Sequence, residues 1–135
     1  IDEAVLADCV ASYQKLGQED KATSLLKQHV ASQPNDQTAR MLLAERQLGS
    51  DASSAMASYE TAIQQNPQNY VARNNLAYLY LQAGQIVKAK EHSQAAVAIK
   101  PDNAAALDTL AQILIAEKDY AEALGISKYE PPYLR

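Results

Sequence analysis

The chain contains no tryptophan and no phenylalanine, one cysteine, four glycines and five prolines. A lone Cys9 cannot close an internal disulfide, so no cross-link supports the fold. Scarce Gly and Pro leave long uninterrupted stretches, and the Ala and Gln that fill them favour helix. No run of about 18 apolar residues occurs, which excludes a membrane-spanning helix. No block of Lys or Arg occurs either, and the net charge is −4. A nucleic-acid binder should carry a clustered basic footprint, so no nucleic-acid partner is expected. An anionic membrane surface likewise finds nothing to attract, and no direct membrane insertion is expected. G-x-G-x-x-G, P-loop and H-E-x-x-H patterns are all missing. The N-terminal residues, IDEAVLADC, are acidic and helical in pattern, unlike a signal peptide. They also lack an initiator Met, and the expectation is a single domain cut from a longer chain.

All the aromatic side chains are tyrosines, eight of them. Two stand close together in NNLAYLYLQAGQ, residues 74–85, at Tyr78 and Tyr80. Residues two apart on a helix point in different directions. One short helix therefore presents aromatic rings on two faces, and the rest of the chain explains why.

The sequence repeats itself. Pro34, Pro67 and Pro101 stand in matching contexts (SQPND, QNPQN, IKPDN), 33 and 34 residues apart. Cys9, Leu43, Leu76 and Leu110 keep the same step, as do Val10, Ala44, Ala77 and Ala111. Tyr13, Gln47, Tyr80 and Leu114 form another series, and Ala22, Ala55, Ala89 and Ala123 a fourth. A one-residue deficit falls between Gln47 and Ala55, which predicts a shortened loop at Gly49-Ser50-Asp51. Each unit reads as two amphipathic helices, at 70–82 and 86–99 in the third. Gly17, Gly49 and Gly84 suit the left-handed residue that ends a first helix. The Pro-Asn and Pro-Asp neighbourhoods end the second helix and supply the next cap. Small residues at 22, 55, 89 and 123 let paired helices approach closely. The units run over about 3–36, 37–69, 70–103 and 104–128, with a tail at 129–135. The last unit departs from the pattern. Its second helix meets Gly125, and Pro131 and Pro132 cannot continue it. A short eighth helix, an extended KYEPPYLR tail and an apolar edge on the seventh helix (Leu114, Ile115) are expected.

This pattern resembles the tetratricopeptide repeat family, whose signature is W-x2-L-G-x2-Y, A-x3-F, A and P. The third unit offers Leu76, Ala77, Tyr80, Ala89, Ala96 and Pro101. The second offers Leu43, Ala44, Ala55, Tyr59, Ala62 and Pro67, and the fourth Leu107, Leu110, Ala111, Tyr120 and Ala123. The first has Cys9, Val10, Tyr13, Ala22, Leu26 and Pro34, with His29 where Ala is usual. The resemblance covers essentially the whole chain. It implies an all-α, right-handed superhelical solenoid of about four helix pairs. The wording of the third and fourth units is also similar to tetratricopeptide lipoproteins of exopolysaccharide export and protein sorting in Gram-negative envelopes. That similarity implies a periplasmic or cell-envelope location rather than a cytoplasmic one, and bacterial assembly components as partners.

In such a stack the first helix of each unit lines a concave surface. Tyr80 holds the signature aromatic position and should pack between helices. Tyr78, about 200° away around the helix, should face the groove. The inner row then comprises Ala4, Ala7, Ala11, Gln14 and Lys15, followed by Thr38, Met41, Glu45 and Leu48. It continues with Val71, Asn74, Tyr78, Leu81 and Gln82, then Ala105, Asp108, Gln112, Ile115 and Ala116. The residues singled out for partner binding are Met41, Glu45, Leu48, Asn74, Tyr78, Leu81, Gln82, Asp108, Gln112 and Ile115. A competing reading makes the row simple packing between helices, above all at Met41 and Leu48. One subset of the family grips chaperone C-termini with a Lys/Asn/Lys/Arg clamp. This row holds only Lys15, and Arg40 and Arg73, one residue before it, should reach solvent or a neighbouring acid. An apolar segment, extended or helical, fits better.

No catalytic constellation emerges. His29 and His92 fall on second helices two units apart, without metal-ligand spacing, and read as solvated or edge-packed. Cys9 occupies the signature Leu position and reads as a buried small hydrophobe. No catalytic residue, metal or cofactor is expected. The function expected is that of a non-enzymatic protein–protein interaction scaffold with a protein or peptide partner. Two alternatives stay open. One is a self-assembly (homo-oligomerisation) module working through the open C-terminal edge. The other is a regulatory segment of a longer enzyme.

Overall fold

The computed structural model describes residues 2–127. The KYEPPYLR stretch, expected as an extended tail, lies outside them. Eight helices and no strand occur among the described residues. They are α1 (Glu3–Lys15), α2 (Glu19–Ser32), α3 (Gln37–Leu48), α4 (Ala52–Gln65), α5 (Tyr70–Gln82), α6 (Ile86–Ile99), α7 (Ala104–Ala116) and α8 (Tyr120–Ser127). The chain forms two compact units, Ile1–Gln65 and Asn66–Arg135.

The same device starts each first helix. The side chains of Asp2, Asp36, Asn69 and Asn103 accept the backbone N–H groups of Val5, Ala39, Ala72 and Ala106. Each satisfies one donor that the opening turn leaves free. From Asp36 onward the cap stands two residues after a proline, so proline ends one repeat and its neighbourhood starts the next.

The ends of the first helices obey local stereochemistry. Gly17 and Gly84 adopt φ of 72° and 77°. Gln18 N–H reaches Tyr13 C=O, and Gln85 N–H reaches Tyr80 C=O. This is the closing bond of the Schellman motif. Gly49 departs from expectation, with φ of −78°. The missing residue is lost from the helix and not from the loop: α3 has 12 residues where α1, α5 and α7 have 13. Asp51 N–H then bonds Gln47 C=O directly, and no left-handed residue is required. In the fourth repeat Lys118 takes the left-handed position, with φ of 64°.

In the first unit Leu6, Val10, Ala22, Leu26, Ala39 and Leu43 form one buried cluster. Ala44, Ala55, Tyr59 and Ala62 are buried with no exposure. In the second unit Ala72, Leu76, Ala77, Ala89 and Ala96 are buried equally completely. Leu110, Leu114 and Ala123 form a further cluster, against which Val97 and Ile126 pack. Cβ-only side chains at the crossings let interdigitated leucines and tyrosines supply the apolar burial, at roughly 25 cal/mol per Å². Two expectations fail here. Leu114 is not part of an open edge, because α8 covers it; only Ile115 of that pair is exposed. Cys9 is half-buried, not core. Its helix opens the described chain, and Leu6 and Val10 fill the core in its place.

Candidate functional site

In the second unit α5 packs beside α7 as well as against α6. Both first helices therefore share one surface, and their inner-row residues can be compared directly. On α5, Leu76, Ala77, Leu79 and Tyr80 are all buried, yet Tyr78 among them keeps 42% exposure. Tyr80 keeps 5%. The two tyrosines divide the work as expected: one ring belongs to the core, the other to the surface. Leu81 is half-buried and Gln82 exposed; on α7, Asp108, Gln112 and Ile115 are exposed. Tyr78 and Ile115 are thus large apolar surfaces in water on neighbouring helices.

The polar groups of this face bond to each other along the helices. Gln82 Nε2 donates to Tyr78 Oη (3.1 Å), and Gln112 Nε2 donates to Asp108 Oδ2 (2.8 Å). Both are pairs four residues apart, which face each other on a helix. These bonds engage the amide nitrogens of both side chains. Asn74 is different. It is half-buried, and its Oδ1 is buried without a hydrogen-bond partner. Leaving such an acceptor unmatched costs about 1–3 kcal/mol.

In the first unit, α3 carries the corresponding residues. Glu45 and Leu48 are exposed, and Met41 is half-buried. Packing therefore accounts for part of Met41 but not for Leu48. A shallow depression of about 320 Å³ on this unit lies between α1 and α2, lined by Tyr13, Lys21, Leu25 and neighbours.

The two arginines beside the row do something the sequence reading missed. Arg40 Nη2 donates to Pro34 C=O (2.9 Å), and Arg73 Nε donates to Pro67 C=O (2.8 Å). Each ties a first helix back to the turn before it, in place of the expected solvent or acid. The signal was present in the spacing: each Arg follows its proline by six residues. The histidines also find specific places. His29 is buried, and its Nε2 lies 2.8 Å from Asp36 Oδ2. His92 is half-buried and stacked on Tyr80. His29 is thus buried, where a solvated or edge-packed ring was expected, and His92 is edge-packed. Asp36 also accepts the Ala39 N–H, and that bond, with His29, holds its carboxyl below the usual 3.8.

Among the described residues no three His, Cys, Asp or Glu side chains converge as metal ligands. No described helix is long and apolar enough to cross a membrane.

Comparison with known proteins agrees with this architecture. A family profile described as Tetratricopeptide repeat matches residues 50–113 and 81–126. No curated protein matches the chain. Among solved structures, a crystal structure of MamA aligns with a TM-score of 0.79 at 22% identity, covering 90% of this chain and 71% of that one. A second, MamA AMB-1, gives 0.78 at 21%, covering 94% and 76%. The first tetratricopeptide domain of Spaghetti (RPAP3), bound to an HSP90 peptide SRMEEVD, gives 0.76 at 18%, covering 85% and 92%. At these identities the likeness establishes the fold: all-α, built of the helix pairs of tetratricopeptide solenoids.

Proposed function

Because the chain belongs to the tetratricopeptide repeat family, we propose that it is a non-catalytic protein–protein interaction scaffold whose second unit receives a partner on the joint α5–α7 face. Repeats of this kind bind partners on surfaces that successive units extend. The observation that carries the reading is Tyr78. It keeps its ring in water while both sequence neighbours, Ala77 and Leu79, are buried. A rigid ring with a hydroxyl makes a large contact at low entropic cost.

The partner is a protein or peptide segment with an apolar side chain for the Tyr78–Leu81–Ile115 surface. Its backbone N–H groups would meet the side-chain amide oxygens of Gln82 and Gln112, and a donor would relieve Asn74 Oδ1. Asp108 favours a segment without acidic residues at that point. In the first unit, taken by itself, Met41, Glu45 and Leu48 of α3 hold the same repeat positions and are proposed as its own partner-binding residues. The HSP90-peptide complex of Spaghetti is a precedent for peptide capture on this fold, though the single inner-row Lys15 argues for an apolar ligand here. We further propose a bacterial multiprotein assembly in the cell envelope as the setting, resting on the sequence similarity of the third and fourth units.

The test is affinity capture with the chain and with a Tyr78→Ala/Leu81→Ala variant of equal helicity. The proposal expects a partner that binds the first and is lost with the second. Equal capture by both would assign binding to another face.

A further inference from the structure

The repeat step lets core positions be compared from one repeat to another. In the first repeat Leu6, Val10, Ala22, Leu26, Ala39 and Leu43 meet where α1, α2 and α3 come together. The same register in the third repeat gives Arg73, Ala77, Ala89, Ser93, Ala106 and Leu110, supplied by α5, α6 and α7. Two leucines and a valine have become Arg, Ser and Ala. The Arg73 guanidinium is drawn away, to Pro67 C=O and to 3.5 Å from His92 Nδ1. Ala77, Ala89, Ser93 and Ala106 have no exposure. The deepest side chains here therefore end at Cβ or one atom beyond it. In the second repeat the position of Ser93 holds Tyr59, which is also fully buried.

The helix with least to hold it is α6. Its buried residues are Ala89, Ser93 and Ala96, whereas α2 buries Leu26, and α4 buries Tyr59 and Ile63. Ser93 adds a cost of its own, because its Oγ is buried with no hydrogen-bond partner. An unmatched hydroxyl removed from water favours any opening that wets it again. The ties of α6 are also lopsided. Toward α5 it offers the stack of His92 on Tyr80, and Lys88 Nζ lies 5.5 Å from the centre of the same tyrosine ring. Toward α7 it offers the part-exposed Lys90–Glu117 pair, and Val97 against Leu110 and Leu114.

We propose that the α6–α7 seam is a soft joint: α7 parts from the α5–α6 pair, exposing Ser93, far more often than the chain unfolds. Local openings of this kind arise where few large apolar side chains are buried. The joint is a conformational device, because α5 and α7 share one surface and the seam sets how far that surface can widen. It is a property of the free chain and stands independently of the partner proposal.

The test is native-state amide hydrogen exchange of the 135-residue chain, followed by NMR at several urea concentrations below unfolding. Leu110 and Ile113 of α7 stand in the register of Leu76 and Leu79 of α5. The α7 amides should exchange at least about tenfold faster than their α5 counterparts. They should also depend less on urea, since the opening exposes only part of the buried surface. Ser93→Ala deletes the unmatched hydroxyl and suits a helix, so folding is not at stake. It should slow α7 exchange about five- to thirtyfold. Exchange of both sets at one rate and one urea dependence would overturn the proposal, because the three helices would then open only as a unit. Ser93→Ala leaving α7 exchange unchanged would overturn it too, because the buried hydroxyl would not be what loosens the seam.

Discussion

The phenol ring of Tyr80 lies on the imidazole of His92, with centroids 5.8 Å apart and planes inclined by 16°. The matching positions meet in the other repeats with other chemistry. Ser58 Oγ donates to Gln47 Oε1 at 2.7 Å. Tyr13 and Leu25 pack on one cluster, and Leu114 and Ile126 on another. One spatial pair of positions, between the two helices of a repeat, accepts an aromatic stack, a hydrogen bond or an aliphatic contact. What is retained is the pairing of groups of like polarity, because an unmatched polar group there would be costly.

Tyr80 and Tyr78 should therefore respond very differently to truncation. Tyr80→Ala empties a buried ring site and is expected to cost about 3–5 kcal/mol. Tyr78→Ala alters a surface and should stay within about 0.5 kcal/mol. Urea unfolding followed by circular dichroism measures both.

The glycines give a second contrast. Gly17 and Gly84 sit in the left-handed region, so Gly84→Ala should lose roughly 1–2 kcal/mol although its surroundings are open. Gly49 has an ordinary right-handed φ and equally open surroundings. Gly49→Ala should be neutral or gain up to about 1 kcal/mol by restricting the unfolded chain. Thermal midpoints of the two variants, compared side by side, check the difference.

Asp36 joins two structural duties: it caps α3 through Ala39 N–H (3.0 Å) and accepts from buried His29. Its carboxyl is held below 3.8, first by the Ala39 N–H and then by His29, against the opposing effect of burial. A depressed carboxylate contributes stability that is complete above its ordinary value and is lost as pH falls through its folded-state value. Wild-type stability should therefore drop more steeply below about pH 4 than that of Asp36→Asn. At neutral pH, Asp36→Ala should cost about 1–2 kcal/mol for the cap alone. It should exceed the loss in Asn103→Ala, because it also leaves His29 buried without its acceptor. Denaturant titrations at several pH values read out both effects.

The repeat was legible because its punctuation is chemical. Proline with a cap two residues later can only end one helix and start another, and alanine at helix crossings leaves a periodic trace. The bounds of α5 and α6 follow the pattern at 70–82 and 86–99. The division between Tyr78 and Tyr80 was legible for the same reason, since helical phase fixes direction. What escaped depended on groups meeting across turns. A missing residue can be taken from a helix end or a loop at the same sequence cost, and only the hydrogen bond from Asp51 N–H to Gln47 C=O distinguishes them. The destinations of Arg40 and Arg73 are backbone carbonyls, which every residue has and no sequence advertises. His29, read as solvated or edge-packed, is instead buried against Asp36 seven residues on, a contact made across a turn by the second oxygen of a capping carboxylate.

The central claim is that a partner lies on Tyr78. It is tested most directly by replacing Tyr78, and separately the exposed Val87 of α6, with a photo-activatable phenylalanine and irradiating the chain among its native partners. The account predicts a specific protein cross-link from position 78 and none from position 87. A cross-link to the same protein from 87 alone would contradict it.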